Sequence, residues 1–261
     1  MSKKIEVLIV TMNQNDHSLI QKMNIKTDAL VGNQCDYNSI ESFTDKNGNT
    51  IRYYSFEEQG VGLNRNNLLL RTTADYVILA DDDMVFNDNY PDEALNAFHN
   101  HPDADVLLFN LDDDGTRFKT KKDFRVRTYN CGRFGAARIG LKMDKIRKNA
   151  ISFNQLFGGG CKYGSGEDTL FLKDCINKGL KLYAVNVTLA RLEDSRKSTW
   201  FTGINDKWLY DTGASKAAFS SRTAYIQSIL FLIKHHNIIK EYTFISAYQI
   251  MRKGIRDYLH E

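Results

Sequence analysis

Tyr76–Ala80 (YVILA) is an unbroken apolar run that leads straight into three carboxylates, Asp81, Asp82 and Asp83. So short a run with no polar alternation reads as a strand covered on both faces, as in a parallel sheet wrapped by helices. Ile5–Val10 (IEVLIV) reads the same way, and Ala29–Val31 and Asp105–Phe109 (DVLLF) add further strands. Helical patterns lie between them. Ser18–Asn24 is one, and the stretch after Gly60 and Gly62, with Leu63, Asn67 and Leu70 at helical spacing, is another. PDEALNAF is a third, with Pro91 as its first residue and acids in its first turn. Asn47-Gly48, between Glu41–Thr44 and Ile51–Ser55, signals a hairpin. Strands alternating with helices predict an α/β fold with a mostly parallel half-sheet.

The basic middle, Arg117 to Lys148, contains alternating stretches such as FRVRTYN and reads as strands and loops of a second half-sheet. GSGEDTLFLKDCINKG starts a helix at Glu167-Asp168 and stops it at Gly179, and Lys181–Val187 is a last strand. From Gly213 the apolar residues between Ala218 and Ile233 follow a period near 3.6, an amphipathic helix, and Tyr242–Leu259 reads as a second. A chain of 261 residues holds one full α/β domain and a helical appendage. The predicted division is a catalytic domain over 1–212 and a helical extension over 213–261.

The formal charge of +3 is uneven: Ala214–Glu261 carries +4 and the rest of the chain −1. Such a basic, amphipathic tail suits peripheral contact with an anionic membrane, or packing against the catalytic domain or a second subunit in a homodimer. No apolar run approaches the ~20 residues that span a bilayer. The start, MSKKIEVLIVTMNQ, is not built like a signal peptide, so a cytoplasmic location is expected, peripheral on the inner face of the membrane if the tail docks there. Cys35, Cys131, Cys161 and Cys175 are scattered without a CxxC pair, which reads as four reduced thiols rather than a zinc site or disulfides. No nucleic-acid partner is expected.

Three adjacent carboxylates at a strand's C-terminal end repel one another and raise each other's pKa unless a cation or hydrogen-bond donors relieve them. The carboxyl ends of strands are where open α/β sheets bind ligands. A divalent cation, Mn²⁺ or Mg²⁺, bridging to substrate phosphates suits such a group. In a strand-like turn Asp81 and Asp83 point the same way and Asp82 away, which favours Asp81 and Asp83 as the working pair. The plain alternative is a solvated acidic loop, the reading given to Asp112–Asp114 before Gly115. In GSGED, Gly164 and Gly166 allow close backbone approach. A carboxylate at a helix N-terminus is held as the anion, which suits a general base; the alternative for Glu167 or Asp168 is a simple cap.

Taken together, these parts resemble the GT-A glycosyltransferases, in particular the inverting bacterial enzymes of family 2. The resemblance runs from about Ile5 to Trp200. It rests on a strand opening into a TMN loop, GVGLNRN before a helix, a strand ending in DDD, and GSGED opening a later helix. It implies a Rossmann-like GT-A mixed sheet flanked by helices, and transfer of a sugar from a nucleotide-sugar donor, a UDP-sugar, to a glycan or lipid-linked glycan in polysaccharide biosynthesis. It implies Thr11 and Asn13 at the nucleoside, and Arg65, Asp81 and Asp82 on the donor side. Asp83 would be the metal ligand, Asp168 the catalytic base and Glu167 its neighbour toward the acceptor.

Two departures stand out. The acidic residue usual after the second strand is replaced by VGNQCD, leaving Asp36 as the candidate on the donor side. Where many members carry a His after the last strand, LARLEDSRKSTW offers Glu193 and Asp194. Trp200 and Phe201 read either as a lid over the donor or as packed aromatics. Lys119, Lys121, Lys122, Arg125 and Arg127 read as a solvated face, and His235-His236 as a helix end. Two other functions compete. A sugar-phosphate nucleotidyltransferase needs an early Gly-rich basic loop, and TMNQNDH has neither glycine nor Lys/Arg. A nucleotide-sugar-binding protein of this fold that has lost activity would have no need for both Asp83 and Asp168.

Overall fold

The computed structural model describes residues 4–113, 118–193 and 203–260. Asp114, Gly115, Arg117, Asp194, Trp200 and Phe201, singled out above, lie outside them. The chain runs β1 (Ile5–Met12), α1 (Ser18–Lys22), β2 (Asp28–Gln34), β3 (Ser39–Thr44), β4 (Thr50–Phe56), α2 (Val61–Arg71), β5 (Tyr76–Asp81) and β6 (Met84–Phe86). It continues through α3 (Tyr90–Asn100), β7 (Val106–Asp112), β8 (Phe124–Val126), β9 (Ile139–Lys142), α4 (Met143–Lys148), α5 (Glu167–Asn177) and β10 (Leu182–Leu192). Three helices follow: α6 (Asp206–Phe219), α7 (Ala224–Lys234) and α8 (Phe244–Leu259).

The strands form one mixed sheet in the order β3-β4-β2-β1-β5-β9-β7-β10-β6, with β8 also paired to β10. β4, β2, β1 and β5 are parallel to one another, and β9 joins β5 antiparallel. β2 lies on one side of β1 and β5 on the other, so the order of winding reverses at β1. A crevice opens outside the carboxyl ends at such a point. The register sets Met12 beside Gln34 and Val10 beside Asp81, so three strands deliver their last residues to one place.

The apolar runs are buried on both faces. In β1, Val7 and Ile9 pack with Leu19, Ile20, Tyr90 and Phe98 of α1 and α3, while Leu8 and Val10 pack with Leu68, Ile146 and Phe171 on the other face. Each such side chain contributes about 1.5–3 kcal/mol by leaving water. The hairpin forms as the Asn47-Gly48 pair predicts, with β3 and β4 antiparallel and Gly48 in the left-handed region.

The C-terminal region differs from the reading above. The long periodic stretch is two helices, α6 and α7, parted at Ser220–Thr223, and residue 213 falls within α6, so the helical unit starts at Asp206. Among the described residues no helix is long and apolar enough to cross a membrane. α6 and α8 cross with backbones nearly in contact: a Cβ on Gly213 would lie 2.0 Å from the Met251 carbonyl oxygen, and one on Gly254 2.0 Å from that of Tyr210. The unit packs on the sheet-bearing part of the chain through Ala214, Phe219 and Tyr258 against Phe157, Tyr163 and Leu170.

Candidate active site

At the carboxyl ends of β1, β2 and β5 lies a cavity of about 420 Å³. Thr11, Asn13, Gln14, Gln34, Asn64, Arg65, Asp81 and Asp82 are among the residues lining it. Arg65, on the second turn of α2, is 5% exposed and is the meeting point. Its Nη2 donates to Asp81 Oδ1 at 2.8 Å, and its Nη1 donates to Glu167 Oε1 at 3.2 Å and Asp168 Oδ1 at 3.0 Å. Phe153 lies beneath the guanidinium, 5.3 Å from ring centroid to Cζ. Carboxylates 86 and 87 residues apart in the chain thus converge on one cation.

α5 begins at Glu167 with both acids in its first turn, where the helix dipole favours negative charge. Gly158, at φ 107°, makes room: a Cβ there would lie 2.6 Å from Val61 Cγ1 and 2.9 Å from Glu167 Cδ. The loop before α5 is fixed from the C-terminal unit. Gly164 N–H donates to the buried Asp211 at 2.8 Å, and Lys207 Nζ pairs with the same carboxylate at 2.6 Å. Asp168 is 26% exposed. Desolvation, then the charges of Glu167 and Asp81, push its carboxyl above the ordinary range; Arg65 and the Ala136 N–H act the other way. Burial alone would lower the Arg65 pKa, but Asp81, Asp168 and Glu167 outweigh it, so the guanidinium stays charged.

Thr11, Asn13, Arg65 and Asp81 line the cavity, and Glu167 and Asp168 join them through Arg65. The acidic triplet departs from the alternation argument. Residues 82 and 83 form a turn between β5 and β6 rather than extended backbone, so period-two geometry does not apply. Asp82 lines the cavity and accepts from Thr11 Oγ1 at 2.5 Å, whereas Asp83 is not among the lining residues. The Asp83 carbonyl accepts from the Glu193 N–H at 2.8 Å, tying the turn to the end of β10. Asp36 is exposed and outside the cavity, because β2 ends at Gln34 and the chain then turns away.

Three polar residues of the site were not predicted. Gln34 is buried in the lining and donates to the Gly60 carbonyl at 3.2 Å. Asn33 holds the main chain of Gln14 at both its N–H and C=O, which shapes the TMNQ loop. Asn64 donates to the Gly32 carbonyl at 2.8 Å. The available signal was polar side chains at the end of an otherwise apolar strand, in VGNQ.

The donor set bears on a metal. Arg65 is the one basic side chain lining the cavity among the described residues, and it already faces Asp81, Glu167 and Asp168. With Asp82 added, the acids are in clear excess. A diphosphate entering such a cavity needs further positive charge. Among the described residues no three His, Cys, Asp or Glu side chains form a metal shell by themselves. A cation here would be held by one or two carboxylates and completed by phosphate and water.

The mixed sheet flanked by helices is the fold of the GT-A glycosyltransferases. Residues 37–160, which contain Arg65 and the acidic triplet, match the model described as Glycosyl transferase family 2. No curated protein sequence matches the chain. The structure of S. aureus TarS 1–349 in complex with UDP-GlcNAc superposes with a TM-score of 0.65 at 15% identity, covering 98% of this chain and 80% of that one. TarS 1–349 in complex with UDP gives 0.52 at 18% identity, over 98% and 70%. The mannosyltransferase PcManGT from Pyrobaculum calidifontis, in complex with GDP-Man and Mn²⁺, gives 0.51 at 10% identity, over 97% and 86%.

Proposed function

We propose that this chain transfers a sugar, with inversion, from a UDP-sugar to a hydroxyl of a glycan or lipid-linked glycan, as a step of polysaccharide assembly. The observation that carries the reading is the convergence of Asp81, Glu167 and Asp168 on Arg65 beside a cavity lined by Asp82 and the TMNQ loop. The UDP and UDP-GlcNAc held by the TarS fold support a UDP donor.

Thr11, Asn13 and Gln34 would hold the nucleoside in the cavity, and Arg65 with Asp81 would orient the donor at its rim. Asp168 takes the proton of the acceptor hydroxyl as that oxygen bonds to the anomeric carbon. The bond from that carbon to the nucleoside diphosphate breaks on the opposite face, through an oxocarbenium-like state. Glu167, beside it on α5, would bind the acceptor. The upward push on the Asp168 pKa makes it the stronger base once ionised, and Arg65 keeps the ionised form accessible. Asp82, facing the cavity, and Asp83, next on the turn, are the carboxylates that would hold Mn²⁺ or Mg²⁺. When bound, that cation supplies Lewis-acid stabilisation of the charge on the departing diphosphate.

Asp168→Asn tests the assignment. Transfer to the acceptor is expected to fall by about 10²–10⁴ in kcat, while nucleotide affinity is retained. A variant that transfers at the native rate removes Asp168 from the chemistry.

A further inference from the structure

We propose that the outer face of α7 docks on a membrane surface carrying anionic lipid, a role separate from the chemistry of the cleft. The inner face of α7 is accounted for: Ala224, Ser228 and Leu232 are buried, and Phe231 packs on Trp208. The outer face carries Ile226, Ile229, Leu230 and Ile233, which are 61%, 36%, 59% and 57% exposed. Their spacing of three, four and seven residues places them in one stripe. A surface helix normally presents polar residues there, so this stripe lacks its apolar counterpart.

Three observations choose the occupant. Eleven residues at ~1.5 Å each make about 16 Å, half of the ~30 Å hydrocarbon core, so α7 lies in the interface and does not cross it. The surroundings are basic. From Arg222 to Ile245 the charged residues are Arg222, Lys234 and Lys240 against Glu241, with His235 and His236 at the helix end. In a two-fold dimer through this face the same patch would meet itself, setting cations against cations. An apolar stripe with a cationic rim instead complements acidic headgroups above acyl chains.

Flotation with vesicles tests this, using phosphatidylcholine alone and phosphatidylcholine mixed with phosphatidylglycerol. The native chain is expected to bind the mixed vesicles and to lose binding as salt is raised. Leu230→Glu combined with Ile233→Glu is expected to weaken binding at least about tenfold. Because these positions are exposed, thermal stability and nucleotide binding should be unchanged. Lys234→Gln and Lys240→Gln should each weaken it about fivefold. A native chain that floats with neither vesicle, or a double Glu variant that binds as the native does, overturns the proposal. So does a monomer–dimer equilibrium in sedimentation that Leu230→Glu abolishes, which would assign the face to a second copy.

Discussion

At the scale of residues, the cleft turns on how Arg65 divides its charge among Asp81, Glu167 and Asp168. The balance makes a signed prediction. Asp168 sits above the ordinary carboxylate range, so its ionised, basic form is lost when pH falls through a value higher than a free Asp would show. The acidic limb of the rate profile should therefore lie toward neutrality. Arg65→Gln removes the charge that pulls the pKa down, so the limb should move to higher pH, by about one pH unit. Asp81→Asn removes a charge that pushes it up, so the limb should move the other way. Opposite displacements in kcat/KM against pH would confirm the coupling, and identical profiles would break it. The carboxylates stood out because DDD after an apolar strand and GSGED before a helix are local patterns, whereas Arg65 came only from the resemblance of GVGLNRN to family 2 enzymes. The shared direction expected of Asp81 and Asp83 does not follow, because alternation describes strands and residues 82 and 83 occupy a turn. Asn33, Gln34 and Asn64 were missed because their partners are main-chain groups brought in by the fold.

At the scale of elements, legibility followed burial. β1 and β5 are covered on both faces, and their unbroken apolar runs announced it. β6 and β9 span three and four residues, too few to display a period, and appear only once paired to β10, β5 and β7. The break between α6 and α7 falls in Ser-Ser-Arg-Thr, without the glycine or proline that usually marks one. The α6–α8 crossing was hidden for a related reason, since only the fold shows that Gly213 faces the Met251 carbonyl. Gly213→Ala would place a methyl in that contact and force the helices apart, at a cost of about 1–3 kcal/mol. At ~2–4 °C per kcal/mol for a chain of this size, the melting temperature should drop by about 2–12 °C. α6 also supplies Asp211 to the Gly164 N–H, so activity measured below the melting transition should fall as well. An unchanged melting temperature would mean that the crossing is looser than described.

At the scale of the whole molecule, the cavity belongs to no single element. β1 supplies Thr11 and its loop Asn13, β2 supplies Gln34, α2 supplies Arg65, and the β5–β6 turn supplies Asp82. The C-terminal unit steadies the α5 loop that completes the site. A ligand bridging these parts stabilises the native state as a unit, by RT ln(1 + [L]/Kd), about 2.7 kcal/mol at a hundredfold excess over Kd. UDP with Mn²⁺ should therefore raise the melting temperature by about 5–10 °C. The acid excess around Arg65 makes the metal part of that effect, because the diphosphate alone meets Asp81 and Asp82 as like charges. UDP without Mn²⁺ should give a smaller rise, and Asp82→Asn should remove most of the difference between the two conditions. If Asp83→Asn removes it instead, the cation sits farther along the turn. A rise with GDP in place of UDP would change the donor base. If no nucleoside diphosphate shifts the transition with either metal, the cavity is not a donor site and the proposed chemistry loses its leaving group.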